Sequence, residues 1–274
     1  MEAYLCPSCG MQYAPGAAPP AKCVVCSEER QYIAEGGQKW TTLKAEVPRH
    51  FNMFREYEPG IIGIGTQPAL GIGQRALLIC TPHGNILWDC IAMLDPATIT
   101  LIKGLGGLQA IAISHPHFYT TMVEWSQAFG GTPIHLHADD KEWIMRPDPA
   151  IKLWSGETFK LMPDVTLIRA HGHFKGGNML HWAKGAGGRG VLGASDIATV
   201  TMDRKHFSFM RSYPNVIPLS AKNVREIVAA LAPFEFDTAY GHFFHNNIAT
   251  GAKAALEYSA KRYIDALGGA YDEK

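Results

Sequence analysis

Along most of the chain the apolar residues fall in short blocks cut by glycine and proline. Residues 61–66 and 75–81 are aliphatic runs of strand length. His83-Gly84-Asn85 reads as a turn and 86–88 as the start of the next strand. Residues 110–114 form a buried strand that stops at His115-Pro116. Residues 133–136, 158–161, 165–169, 178–182, 191–194 and 236–239 read as further strands, with a glycine-rich hairpin loop at 184–190. Helical spacing places Met122, Trp125 and Phe129 on one face, and Val224, Ile227, Val228 and Leu231 on another. Residues 98–105, a short stretch at 139–145 and a terminal helix at 251–267 complete the pattern; Gly268-Gly269 stops the last of these. Groups of strands with helices between and after them predict layered α/β packing.

The first 35 residues do not share this pattern. Cys6-Pro-Ser-Cys9 and Cys23-Val-Val-Cys26 are two C-x-x-C pairs with thirteen residues between them. Each two-residue gap folds two sulfurs to one side of a tight turn, so the four thiolates can close a tetrahedron around one structural Zn²⁺. Iron in a rubredoxin-like site is the minor alternative, and two disulfides fit poorly with a reducing compartment. So short a segment buries too little apolar surface to fold alone, which gives a metal staple a physical purpose. The polar, glycine-containing stretch that follows sets a boundary near residue 35: a zinc-ribbon-like Cys₄ module at 1–35 and a large domain at 36–274. Cys80 and Cys90 lie in apolar segments and read as small core residues.

Composition narrows the function classes. With 47% hydrophobic and 18% charged residues, the chain has ample material for a core. Lys plus Arg and Asp plus Glu are 25 each, so no broad electrostatic grip on nucleic acid or anionic membrane is expected. No apolar run reaches the ~20 residues of a bilayer span, and the N-terminal residues carry no secretory pattern. The expected compartment is the cytoplasm and the expected partner a small-molecule substrate.

The candidate chemistry lies at strand ends. His115-Pro116-His117 follows one strand directly, and residues i and i+2 of an extended chain point to one side. Another strand leads to His171-Gly172-His173, a third to Ser195-Asp196 and a fourth to Tyr240-Gly241-His242. Strand ends of one sheet converge on one edge, so four ligand-type endings predict a shared metal site.

The segments I-S-H-P-H-F-Y-T, A-H-G-H-F-K-G-G-N, L-G-A-S-D and Y-G-H-F-F, in that order, resemble the metallo-β-lactamase superfamily. The likeness runs from about Ile61 to His242, and N-I-L-W-D resembles the family's strand-turn segment, with Asp89 as its structural aspartate. The resemblance implies an αββα sandwich with a metal site at one edge. It implies His115, His117 and His173 as ligands of a first metal, Asp196 as a bridging carboxylate and His242 as the last histidine of a second site. His171 competes with His173 for the third position; the family's Gly-His order favours His173. The family's H-x-H-x-D-H is broken here, because Tyr119 and Thr120 stand where Asp and His would hold the second metal. One well-held Zn²⁺ is therefore expected, and a second only weakly. Three neutral imidazoles leave a position for water, whose pKa zinc lowers to ~7. The expected activity is hydrolysis of an ester, lactone, thioester or amide by that metal-bound hydroxide. Asp196, His242 and Tyr119 are the candidates for proton handling. The alternative is a metal-binding scaffold that has lost catalysis.

Overall fold

The computed structural model describes residues 1–272. The chain divides into two compact units, Met1–Trp154 and the segment from Ser155 onward. The division does not fall near residue 35. The four cysteines of the first 35 residues are in the same hydrophobic core as Ile64, Phe118 and Trp125, because a segment this short closes its interior against a neighbour.

The first unit carries a seven-stranded sheet in sequential order: β1 (Phe51–Glu58), β2 (Ile61–Gln67), β3 (Arg75–Thr81), β4 (Gly84–Trp88), β5 (Ala110–Ala112), β6 (Ile134–His137) and β7 (Ile151–Trp154). The first four strands pair antiparallel, β1 with β2 and β3 with β4 through two-residue turns; β4 to β7 pair parallel. Parallel neighbours need crossovers. Helices α1 (Pro96–Gly104) and α2 (Met122–Ala128) lie within the first two of these. Ile102 of α1 and Met122, Val123 and Trp125 of α2 are buried in the core with Ile64, Leu78, Leu87 and Ile111 of the sheet. Fully burying one such side chain contributes about 1.5–3 kcal/mol. In the N-terminal segment, Tyr4–Leu5 pairs antiparallel with Thr41–Thr42.

Asp95 starts α1: its Oδ1 accepts the Thr98 N–H at 2.7 Å, with Pro96 in the first turn. Its other oxygen accepts the Asn52 N–H of β1 at 3.1 Å. Removing the carboxylate strands both donors, so Asp95→Ala is expected to cost about 1–2 kcal/mol. Urea unfolding checks this; an unchanged midpoint would show that water replaces both contacts.

The second unit carries a six-stranded sheet in the order β8 (Thr158–Met162), β9 (Val165–Arg169), β10 (Asn178–Trp182), β11 (Val191–Gly193), β12 (Thr238–Tyr240) and β13 (Asn247–Ile248). All pairs are antiparallel except β11–β12. That parallel pair has α3 (Ala221–Leu231) in its crossover, and α4 (Ala252–Leu267) follows β13. Val224, Ile227 and Leu231 of α3 and Leu256 and Ala260 of α4 close the core over Ile168, Met179, Leu192 and Ala239. Gly190 sets where the parallel pair begins. It has φ +88°, its carbonyl accepts the N–H groups of Asp237 and Thr238 at 3.0 and 3.3 Å, and a Cβ there would lie 2.1 Å from the Glu235 oxygen.

Several elements differ from the sequence reading. Strands β1 and β7 were not expected. β1 (F-N-M-F-R-E-Y-E) is an edge strand without clean alternation, and half-buried or exposed throughout. The expected short helix at 139–145 is a 3₁₀ segment, Ala138–Trp143. The expected hairpin loop at 184–190 contains a short helical turn, Gly185–Gly188, with Ala186 and Gly187 in left-handed conformations.

Candidate metal centre

Among the described residues, two groups offer donor atoms that all lie within 4.8 Å of one another: Cys6, Cys9, Cys23 and Cys26, and His115, His117, His173 and Asp196. All eight side chains are buried.

The Cys6 and Cys26 sulfurs are 3.7 Å apart, and those of Cys9 and Cys23 3.6 Å. A disulfide would hold its sulfurs at ~2.05 Å. A tetrahedron with Zn–S of ~2.3 Å spaces them by about 3.8 Å. The spacing fits one ion shared by four thiolates and does not fit two disulfides. Turn geometry presents the sulfurs. The Gly10 N–H donates to the Cys6 carbonyl at 2.8 Å, and the Ser27 N–H to the Cys23 carbonyl at 3.0 Å. Outer groups support them: the Tyr13 hydroxyl donates to the Cys23 sulfur and Gln38 Nε2 to the Cys6 sulfur, each at 3.4 Å. Hydrogen bonds from Cys23, then Cys26 and Cys9, pull the Cys6 thiol far below its ordinary range, while hydrogen bonds to Cys23 first, and also to Cys6, push the Cys9 and Cys26 thiols up. Four buried sulfurs therefore ionise together only with a cation among them.

In the histidine group, the expected extended H-x-H is not what presents His115 and His117. Strand β5 ends at Ala112, and Pro116–Phe118 is a 3₁₀ turn entered from His115 in extended conformation. Proline suits the first position of such a turn because its φ is preset and its missing N–H is not needed there. The two imidazoles stand edge to face, with centroids 5.1 Å apart. His115 Nδ1 is 2.8 Å from Ser114 Oγ, and the Ser114 N–H donates to Asp89 Oδ1 at 2.8 Å. Asp89 itself has φ 61°. A histidine with Nδ1 engaged in this way coordinates through Nε2.

In the second unit, His171 and Gly172 take left-handed conformations, φ 45° and 82°, and so make the sharp turn that presents His173. The His173 Nδ1–H donates to the Met210 carbonyl at 3.0 Å, which again leaves coordination to Nε2. His171 is not in the group; its Nε2 lies 3.5 Å from Glu226 of α3. Asp196 follows Ser195, held at φ 51°, a strained conformation of the kind that functional sites retain. His242 Nδ1 is 2.6 Å from Asp196 Oδ1, so the structure brings His242 to the carboxylate. The Tyr213 hydroxyl donates to the Asp196 carbonyl at 2.9 Å, and its ring lies 5.7 Å from that of His173 and 6.2 Å from that of His242.

Donors 2.0–2.2 Å from one ion are at most about 4.4 Å apart. Three imidazoles and a carboxylate gathered within 4.8 Å are therefore the size and chemistry of a metal site. Tyr119 and Thr120 are fully buried, and Tyr119 is part of the first unit's hydrophobic core. Burial, reinforced by Asp140, pushes the Tyr119 hydroxyl well above the usual tyrosine range and keeps it protonated.

Sequence reading missed Ser114, Tyr13 and Gln38, each of which acts on a donor through a hydrogen bond. Their one visible signal was adjacency, and only Ser114 had it.

The fold is that of the metallo-β-lactamases. The solved DIM-1 metallo-β-lactamase aligns with a TM-score of 0.58 over 79% of this chain and 98% of its own, at 13% identity. The metallo-β-lactamase FIM-1 from Pseudomonas aeruginosa, solved in a mono-zinc form, aligns with a TM-score of 0.57 over 78% and 96%, at 13% identity. The αββα sandwich expected from the motifs, with a Cys₄ cluster added at the N-terminus, is the architecture found. The chain belongs to the same family as the uncharacterized protein YmaE of Bacillus subtilis (strain 168), with 48% identity over 269 residues and 97% of each chain covered. No protein-family model matches the chain. Among the described residues no helix is long and apolar enough to cross a membrane.

Proposed function

We propose that the chain is a metal-dependent hydrolase of a small molecule, with His115, His117, His173 and Asp196 holding one ion, zinc by preference. The observation that carries this reading is the gathering of three buried imidazoles and one buried carboxylate within 4.8 Å. The fold shared with metallo-β-lactamases, one of them solved in a mono-zinc form, supports it. A divalent ion there supplies Lewis acidity to a carbonyl or phosphoryl oxygen and acidifies water. The chain's own residues do the rest. Ser114 and the Met210 carbonyl fix two imidazoles by their outer nitrogens. His242, against Asp196, orients the carboxylate and can pass a proton to a leaving group. Tyr119 has a packing role in this reading, since its hydroxyl is buried in the first unit's core. The substrate is an ester, lactone, thioester or amide, and the six free cysteines suit a reducing cytoplasm.

The test is a metal count on purified protein, followed by a panel of esters, lactones, thioesters, amides and phosphodiesters, with His115→Ala as control. Turnover of one class, lost in the variant, is the expected result. A fully metallated protein that turns over nothing on the panel would instead fit a metal-binding scaffold.

A further inference from the structure

We infer that the Cys₄ cluster is a positioning element for the His115–His117 turn, so that the ion held by the thiolates sets how tightly the histidine site takes its own. This rests on reading His115, His117, His173 and Asp196 as a metal site.

The contact is direct and lies within the first unit. Gly10 closes the first cysteine turn at φ +83°, and a Cβ there would sit 3.1 Å from both Thr120 Cγ2 and Ala92 Cβ. The Gln12 N–H donates to the Thr120 carbonyl at 3.3 Å. The Gln12 side chain continues the link: its Nε2 donates to Glu124 Oε1 of α2 at 3.2 Å, and Arg146 Nη1 donates to both Gln12 Oε1 and Glu124 Oε1. From the far side, Thr121 Oγ1 donates to the Ala92 carbonyl at 2.9 Å, and Trp125 Nε1 to the Ile91 carbonyl at 3.0 Å.

Thr120 is the strained member of this set. It has φ 34°, which a β-branched residue avoids and keeps only where its surroundings over-determine it. The surroundings are the cysteine turn and the segment at Ala92. Thr120 is joined to the histidines by a rigid turn: the Phe118 N–H donates to the His115 carbonyl at 3.1 Å, and the Tyr119 N–H to the Pro116 carbonyl at 3.2 Å. A shift at Thr120 therefore moves His117. Position 120, where the family resemblance expects a second-site ligand, serves here as the surface on which the cysteine turn packs, while Tyr119 lies in the hydrophobic core that includes the cysteines. Without its ion the Cys₄ cluster loses the bonds that hold its turns, and the constraint on Thr120 goes with them.

Outer groups that orient metal ligands typically change metal affinity by ~10–100-fold, and the same range is expected here. Full-length protein reloaded with Co²⁺ gives separable signals for the two sites, because thiolate charge-transfer bands report the Cys₄ cluster alone, and the visible ligand-field absorption left after subtracting the part that scales with those bands reports the histidine site. Gly10→Ala keeps every cysteine but forces the contact. It should retain the charge-transfer bands and weaken Co²⁺ at the histidines about tenfold in chelator competition. Cys23→Ser should weaken it at least as much. Should either variant fold poorly, wild-type protein titrated with an organomercurial decides: release of the Cys₄ ion should be followed by weakened binding at the histidines. Unchanged histidine-site affinity in folded Gly10→Ala, or after the Cys₄ ion has left the wild type, overturns the coupling and leaves the proposed metal site intact. A wild-type protein that takes no Co²⁺ at the histidines overturns that metal site, and the coupling with it.

Discussion

Replacing His173 by alanine is expected to empty the histidine site while the Cys₄ cluster keeps its ion. The variant retains two imidazoles and a carboxylate, and the turn that supplied the third donor has no other ligand to offer. His171 cannot substitute, because its ring meets Glu226 and both it and Gly172 take left-handed conformations, which turn the chain before position 173. Losing a donor outright should cost more than the ~10–100-fold typical of an outer partner. Any hydrolysis found on the substrate panel should fall by about 10³-fold or more, which corresponds to the several kcal/mol a metal contributes as a Lewis acid. His171→Ala should keep its metal and most of its activity. Elemental analysis of both variants decides the point. Metal lost from His171→Ala and kept in His173→Ala would reverse the assignment.

Cys23→Ser is expected to produce the largest loss of stability. It leaves three thiolates and removes the acceptor of the Tyr13 hydroxyl hydrogen bond. Apart from the two-residue pair Tyr4–Leu5 with Thr41–Thr42, the described N-terminal segment has little regular structure, and its buried residues include all four cysteines. A site loaded to about a thousand times its dissociation constant stabilises the folded state by ~4 kcal/mol. Near this chain length that lowers the Tm by roughly 8–16 °C when the ion is lost. Acid should mimic the substitution, since thiolates bind the ion only when deprotonated. The stabilisation is present at neutral pH and is lost as the pH falls and protons displace the metal. Calorimetry with and without chelator measures it; a variant melting within a degree or two of wild type would mean that the cluster is no staple.

How much of this the sequence disclosed depended on what each feature rests on. Strands β2 and β3 were legible because continuous aliphatic runs, Ile61-Ile62 with Ile64 and Ala76 to Ile79, need burial and have few ways to obtain it. β1 was not legible, because an edge strand bearing Arg55, Glu56 and Glu58 has no single buried face to impose a period of two. Candidate donors could be read from residue type and position: the cysteine pairs, and histidine or aspartate just past a strand. The means of presenting them could not. His115 and His117 are set by a 3₁₀ turn at Pro116, where an extended chain was the simpler expectation. Tyr213 is seventeen positions beyond Asp196 and reaches its carbonyl through the fold. The boundary near residue 35 followed a shift in composition, whereas the core that holds the cysteines also includes Ile64, Phe118 and Trp125.

Gly190 has a consequence for how this chain tolerates change. Strands β11 and β12 run parallel from its end of the sheet, with Val191 opposite Thr238 and Gly193 opposite Tyr240. One leads to Asp196 and the other to His242, and those side chains meet at 2.6 Å. A side chain at position 190 would collide with the Glu235 carbonyl and push the start of one strand against the other, and a slip of one residue is ~3.3 Å. In a saturation scan selected for bound metal, position 190 should behave as a ligand does and accept glycine alone. A survey of chemistry-bearing residues would never nominate it, since its contribution to the site is a distance held open at the opposite end of two strands.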